Sequence, residues 1–283
     1  MVVGVILAGG ESRRFGGNKL LADVEGIKVI DRVFEAVNGV TDKIYISVNN
    51  EEQAAVLEEH CGFAVSSCFK GFIYDDESFQ GPMAGLMAGI KDLSDDILFV
   101  PGDIPWITTK SLSTFIDIVR DYGLDVASPV WGNGMIESLV IYVDKRLARI
   151  VADFPWDIRP SARPTDFIRV SEMAGLIPVS NVTGDPTVFA HVNVVEDLHK
   201  PRLRNPVKGF IRNVVIFDRG GGGSRFWEAW VAFGNHRYSE AVRHLYMEMG
   251  DYIENSVYHL VRHVAMDISY IFDVMGRGGG VMY

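Results

Sequence analysis

Apolar positions in the first two hundred residues fall into short β-branched runs separated by amphipathic stretches. Val2 to Leu7 is such a run and ends in Ala8-Gly9-Gly10, the pattern of a buried parallel strand feeding a glycine loop. A helix over Val29 to Val37 leads to a strand over Lys43 to Val48, and a helix over Glu51 to Glu59 leads to a short strand around Phe63 to Ser66. Met83 to Leu93 reads as helix, Ile97 to Val100 as strand, Lys110 to Tyr122 as helix and Val126 to Pro129 as strand. Strand and helix alternating at crossover spacing predict a doubly wound, mostly parallel, Rossmann-like α/β sheet. Ser138 to Val143 adds an antiparallel strand, and Val192 to Leu198 a last short strand turning into a helix start.

The pattern changes near residue 200. Lys200, Arg202, Arg204, Lys208, Arg212 and Arg219 lie in a stretch whose only acid is Asp218, and Gly220 to Gly223 follow it, which reads as a linker over 201–224. From Phe226 to Val274 the period is helical, with Val257, Val261, Val264, Ile268, Ile271 and Met275 spaced by four and three. Residues 225–283 are therefore expected to form a small all-α unit of two or three helices. About fifty residues make a marginal core, so the unit is expected to pack on the main domain or on a second copy, which leaves a homodimer open.

Composition narrows the function classes. With 27 basic against 37 acidic residues the chain carries −10, and as a whole it repels nucleic acid and anionic membrane. An anionic ligand then needs a local positive site. Cys61 and Cys68 match no metal spacing and no disulfide framework, so a reducing cytoplasm is expected. Met1 to Ala8 lacks a basic leader region, and no window approaches the roughly 18 apolar residues of a membrane span.

The strongest chemical signal runs from Leu7 through Ala8, Gly9, Gly10, Glu11, Ser12, Arg13, Arg14, Phe15, Gly16, Gly17 and Asn18 to Lys19. Glycines let backbone amides approach a phosphate, Ser12 adds a hydroxyl, and Arg14 and Lys19 supply the charge that a polyphosphate needs. The spacing is neither that of a Walker loop nor of a dinucleotide fingerprint. Gln80 to Gly89, with Gly81-Pro82 and Gly85, suits a helix N-terminus with proline at its first turn. Asp103 follows an apolar strand directly, where open α/β sheets place ligands, and a carboxylate there suits Mg2+; a plain turn before Pro105 is the alternative.

Together these motifs resemble the molybdenum cofactor guanylyltransferases, within the nucleotidyltransferases that open on a LAGG-x-S-x-R-x-G-x-x-K loop. The resemblance covers about residues 1–198, and so takes 1–200 as a MobA-like domain of the nucleotide-diphospho-sugar transferase type. It extends to His191-Val192-Asn193-Val194-Val195-Glu196-Asp197-Leu198, similar to an N-V-N-T-P-E-D-L close, and to Asn133 through Leu139, similar to a segment of archaeal members.

The resemblance implies Mg2+-dependent guanylyl transfer from GTP to the phosphate of molybdopterin. It implies Arg14, Lys19 and Asp103 as catalytic residues, with Leu7, Ala8, Gly9, Gly10, Ser12, Asp75, Gly81, Pro82 and Gly85 completing the nucleotide site. Asp103, and more weakly Asn193, would contact the metal, and Glu137, Arg159 and Arg163 the acceptor; two solvated loop arginines are the alternative for the last pair. Five positions depart from the family pattern: Asn18 for Asp, Gly102 for Cys, His191 for Asn, and Val194-Val195 for Thr-Pro. Transfer of another nucleotide, another phosphorylated acceptor such as a sugar phosphate or phospholactate, and a cofactor-passing scaffold remain alternatives. In the tail, His259, His263 and Asp267 share a helical face that suits either zinc or hydrogen-bonded histidines, and His236 and His244 suit a partner interface.

Overall fold

The computed structural model describes residues 1–10, 15–220 and 223–278. In chain order the elements are β1 (Val2–Leu7), β2 (Asp23–Val24), β3 (Ile27–Lys28), α1 (Val29–Asn38), β4 (Lys43–Val48), α2 (Glu51–His60), β5 (Phe69–Tyr74), α3 (Pro82–Asp92), β6 (Asp96–Pro101) and α4 (Thr109–Asp121). They continue as β7 (Val126–Val130), β8 (Ile141–Val143), α5 (Lys145–Ala152), α6 (Asp166–Val170), β9 (Met173–Pro178), α7 (Val179–Val182), β10 (Val215–Asp218), α8 (Arg225–Gly234), α9 (Tyr238–Glu254) and α10 (Tyr258–Gly278).

Eight strands make one sheet in the order β10-β9-β7-β8-β6-β1-β4-β5. β5, β4, β1 and β6 are mutually parallel, β8 runs antiparallel between β6 and β7, and β10 is antiparallel to β9. β1 is apolar throughout because both faces are covered. One face carries α1, whose Val29, Ile30, Val33, Phe34 and Val37 recur at helical spacing, together with α4, which opens on a Thr108–Ser111 capping box. The other face carries α3, α5 and α6.

Two expected strands are corrected. Phe63 to Ser66 forms no strand, because the Asp31 carboxylate accepts from the Gly62 and Phe63 amides at 3.0 and 3.1 Å and draws Gly62–Val65 into a 3-10 turn; the strand follows at β5. Val192 to Leu198 likewise begins with no strand. The Asp197 carboxylate accepts from the Asn193 and Val194 amides at 2.9 and 3.1 Å and bends the chain into a 3-10 turn over Val195–Leu198. Inside the stretch read as a linker, Val215–Asp218 forms the edge strand β10, in register from Val215 opposite Leu176 to Asp218 opposite Met173.

α8, α9 and α10 lie on the α3, α5 and α6 side and share its core. Phe226 and Trp230 are fully buried, and Phe226 stacks on Phe154 at 5.2 Å. Beneath them lies an ion network. Arg169 donates to Glu248 at 2.7 and 2.9 Å, to Asp267 at 2.6 Å and to Asp166 at 3.2 Å; Arg159 donates to Asp166 at 2.6 Å. Arg163 reaches Asp267 at 3.1 Å, and Tyr252 donates to Glu248 at 2.9 Å. Three guanidinium groups thus balance three carboxylates, which is the condition for burying them.

Candidate functional site

β1 lies between β4 and β6, so the connections from its two sides diverge and leave a crevice at the carboxyl ends of the strands. Leu7 pairs with Pro101, which brings the Gly9-Gly10 loop and the Asp103 turn to the same end of the sheet. A cavity of about 900 Å3 opens there. Its lining includes Leu7, Ala8, Gly9, Gly10, Lys19, Asp75, Gly81, Pro82, Gly85 and Asp103, so ten residues expected at the nucleotide site converge on one space. Ser12 and Arg14 lie outside the described residues.

The floor of the cavity is tight. A Cβ on Gly85 would run into the Ser47 hydroxyl, and that hydroxyl donates to Asp75 Oδ1 at 2.6 Å. Burial raises the Asp75 carboxyl above its ordinary range, with Ser47 opposing. Gln53 donates to the Ala8 carbonyl at 2.7 Å and fixes the start of the loop.

From the cavity-lining Lys19 and Asp103 a chain of five side chains runs back into the protein. Lys19 Nζ lies 2.5 Å from Asp103 Oδ2, His191 Nδ1 2.9 Å from Asp103 Oδ1, and His191 Nε2 2.9 Å from Glu137 Oε1. Trp131 Nε1 donates to the second Glu137 oxygen at 3.0 Å. Both ring nitrogens of His191 face carboxylates, so the ring serves as a double donor. Burial works to lower its pKa, but Asp103, then Glu137, outweigh burial and raise it to about 10. Burial would raise the Asp103 carboxyl, and His191 and Lys19 together hold it well below the usual carboxylate range.

Two expectations change. Arg159 and Arg163, expected to bind the acceptor, instead turn inward to Asp166 and Asp267. The Arg159 side chain is fully buried and lies 4.5 Å over the Phe226 ring and 5.0 Å over Trp230, so its charge is used in packing the tail. Asn193 does not line the cavity; the adjacent Val192 amide donates to the Asp103 carbonyl at 2.8 Å, and the Asn193 amide is used by Asp197. The histidine face of the tail is used for packing. His259 Nδ1 accepts from the Ile136 amide at 3.2 Å, His263 Nδ1 meets Thr165 Oγ1 at 2.8 Å, and Asp267 is taken by arginines. Among the described residues no group of three or more His, Cys, Asp or Glu side chains is arranged to hold a metal.

Sequence reasoning missed Ser47, Asn49 and Asn50 as lining residues and treated His191 only as a departure. The available signal was the position of Asn49 and Asn50 directly after strand Lys43 to Val48, where ligands of such sheets sit. As for a metal, Asp103 offers hard oxygen at the cavity edge, and Glu137 stands one histidine away. This donor set fits Mg2+ held by one or two carboxylates plus phosphate oxygens and water, not an all-protein cage.

The profile of the MobA-like NTP transferase domain matches residues 4–169. The chain belongs to this family. Among curated relatives, a probable molybdenum cofactor guanylyltransferase of Methanosarcina acetivorans is 29% identical over 208 residues, 69% of this chain and 87% of that protein. A molybdenum cofactor guanylyltransferase of Shewanella frigidimarina is 28% identical over 68% of this chain and 91% of its own length. The crystal structure of molybdopterin-guanine dinucleotide biosynthesis protein A from Archaeoglobus fulgidus superposes with a TM-score of 0.55 at 21% identity, covering 71% of this chain and 96% of that one. It shares the fold. The family match ends at Arg169, so Glu248 and Asp267 of the ion network lie beyond the matched region. No described helix is long and apolar enough to cross a membrane.

Proposed function

We propose that this nucleotidyltransferase moves the guanylyl group of GTP onto the phosphate of molybdopterin in the cytoplasm, forming the dinucleotide and releasing pyrophosphate. The observation that carries the reading is the Lys19–Asp103 pair, 2.5 Å apart, in a cavity that Gly9, Gly10 and Asp75 also line. An acceptor phosphate is already ionised near neutrality, so its oxygen attacks the α-phosphorus without a general base. As the new P–O bond forms, the bond to the bridging oxygen of the β-phosphate breaks, and the electron pair leaves with pyrophosphate. Catalysis then consists of positioning and charge neutralisation.

Gly9 and Gly10 would border the phosphates, the Gly10 amide itself being held by the Ala8 carbonyl at 2.9 Å, and Lys19 trades Asp103 for phosphate oxygens when the nucleotide enters. Asp103 would hold Mg2+, which when bound neutralises charge on the phosphoryl oxygens. His191 and Glu137 keep the Asp103 carboxylate in place. Phe226, Trp230, Leu245 and Ile271 are buried in the chain's own core, which supports a tail packed on its own domain.

Thermal unfolding with GTP, CTP, ATP or UTP, with and without Mg2+, tests the reading, since a ligand of the folded state raises the melting temperature with its occupancy. The expected result is a Mg2+-dependent shift for GTP that is lost in Lys19→Ala. A larger shift with CTP overturns the base assignment, and no shift with any nucleotide overturns the transferase site.

A further inference from the structure

Between His199 and Phe217 the chain carries Lys200, Arg202, Arg204, Lys208 and Arg212 and no acid, within a molecule of net charge −10. All five are exposed. Among the described residues only Arg202 pairs with a carboxylate, Asp197 at 3.8 Å. The segment is nevertheless firmly held. The Gly132 amide donates to the Pro206 carbonyl at 3.0 Å, the Phe210 amide donates to the Gly132 carbonyl at 2.9 Å, and Asn133 donates to Asn205 at 3.2 Å. The two backbones cross at Gly132 and Gly209 so closely that a Cβ on either would overlap the other's main chain.

The strap meets the surroundings of the site at its start and at the Pro206–Phe210 crossing, and its far end continues to β10. It leaves the turn in which Asp197 braces Asn193 and Val194, next to His191, and it crosses the loop that carries Trp131 and Glu137. The strap therefore borders the Asp103–His191–Glu137 end of the site, on elements separate from those that line the nucleotide cavity. The two arginines that could have met an anionic acceptor, Arg159 and Arg163, are committed to the tail.

We propose that the strap from Lys200 to Arg212 is the recruiting surface for the acceptor, a small polyanion carrying a phosphate monoester. This rests on the transfer reading above for the acceptor's chemistry. Unpaired cations on a rigid segment in an acidic molecule create a local positive field, which concentrates an anion beside the site without touching the reacting atoms.

The test is equilibrium binding of molybdopterin to the full chain without GTP, read by pterin fluorescence, for the wild type and for the double variant Arg204→Glu/Lys208→Glu. The expected result is a Kd raised about tenfold near 10 mM salt, with the difference largely gone near 0.5 M salt, where charges are screened within a few ångströms. Arg204→Lys/Lys208→Arg is expected to bind like the wild type, and the GTP-induced thermal shift is expected to be the same in all three. Equal Kd values for the wild type and the reversed variant, or no molybdopterin binding by the wild type, overturn the inference. Failure of the transfer reading registers separately, as absence of the GTP shift.

Discussion

The His191 ring holds Asp103 by a 2.9 Å hydrogen bond from Nδ1, and its other nitrogen is anchored on Glu137 at the same distance. A carboxylate at the end of a strand would otherwise choose among rotamers and be drawn toward Lys19 alone. The pair of contacts fixes its orientation. Outer partners of this kind typically carry a 10–100-fold effect on metal affinity or activity. His191→Ala is expected to lower kcat by about that factor while the GTP-induced thermal shift stays close to that of the wild type. His191→Asn keeps one donor toward Asp103 and is expected to fall between the two. Steady-state kinetics check this, and an unchanged kcat in His191→Ala would remove His191 from any positioning role.

Asp75 lines the cavity, with one oxygen accepting from Ser47 and the other beside Gly9. A carboxylate accepts only, and guanine presents adjacent N–H donors at N1 and N2, whereas adenine and cytosine present a donor beside an acceptor. Asp75→Asn replaces one acceptor with a donor. The ratio of kcat/KM for GTP over ATP is expected to drop about tenfold or more, in line with roughly 1–3 kcal/mol for a well-formed base contact. A ratio equal to that of the wild type would assign base selection elsewhere.

Much of the nucleotide half of the site was legible because its signals are local. Val2 to Leu7 reads as a buried strand from its own residues, Gly9, Gly10 and Asp103 stand just past strand ends where the fold class places ligands, and Lys19 closes the loop motif that follows β1. The surroundings of Arg159 and Arg163 were not, because they depend on contacts between residues far apart in sequence. Nothing near Arg159 indicates that Asp267, 108 residues later, will bury it. The same holds for β10, whose short run Val215-Ile216-Phe217-Asp218 looks like a linker until β9 supplies an edge to pair with. The turn at Gly62–Val65 has a further lesson: Phe63 alone is buried there and Val65 is almost fully exposed, a pattern that one capping carboxylate on α1 decides.

Acid should destabilise the fold through the tail's packing histidines. Burial lowers the His263 pKa to about 4, with His259 and Arg163 adding to the effect, and burial also lowers His259. A histidine whose folded pKa lies below its unfolded value of about 6.5 takes up its proton more readily in the unfolded chain. Stability from keeping both rings neutral is therefore complete above about pH 6.5 and declines as pH falls toward 4. The melting temperature is expected to decrease over that interval. His263→Gln, which can still pair with Thr165, should flatten the decrease; an equally steep profile would assign the acid sensitivity to other groups.

Glu248 supplies two oxygens to Arg169, at 2.7 and 2.9 Å, in a place that water does not reach. With three guanidinium groups against three carboxylates the network is neutral, and removing one carboxylate leaves a buried positive charge without compensation. Breaking such a pair from one side costs about 3–5 kcal/mol, whereas an exposed ion pair contributes about 0–1 kcal/mol. Glu248→Gln preserves size and shape, so its cost isolates the charge. In a chain of this size a loss of that order corresponds to a drop in melting temperature of roughly 6–20 °C. Glu240→Gln is the matched control, since Glu240 pairs with Arg237 at 2.8 Å on the surface of the same helix unit, and it is expected to shift the midpoint by about 4 °C at most. The decisive reading is cooperativity. If α8–α10 are part of the same folding unit as the sheet, as the continuous core implies, Glu248→Gln shifts one transition as a whole. A second, earlier transition that leaves the GTP-induced shift intact would show that the tail docks on a domain already stable without it.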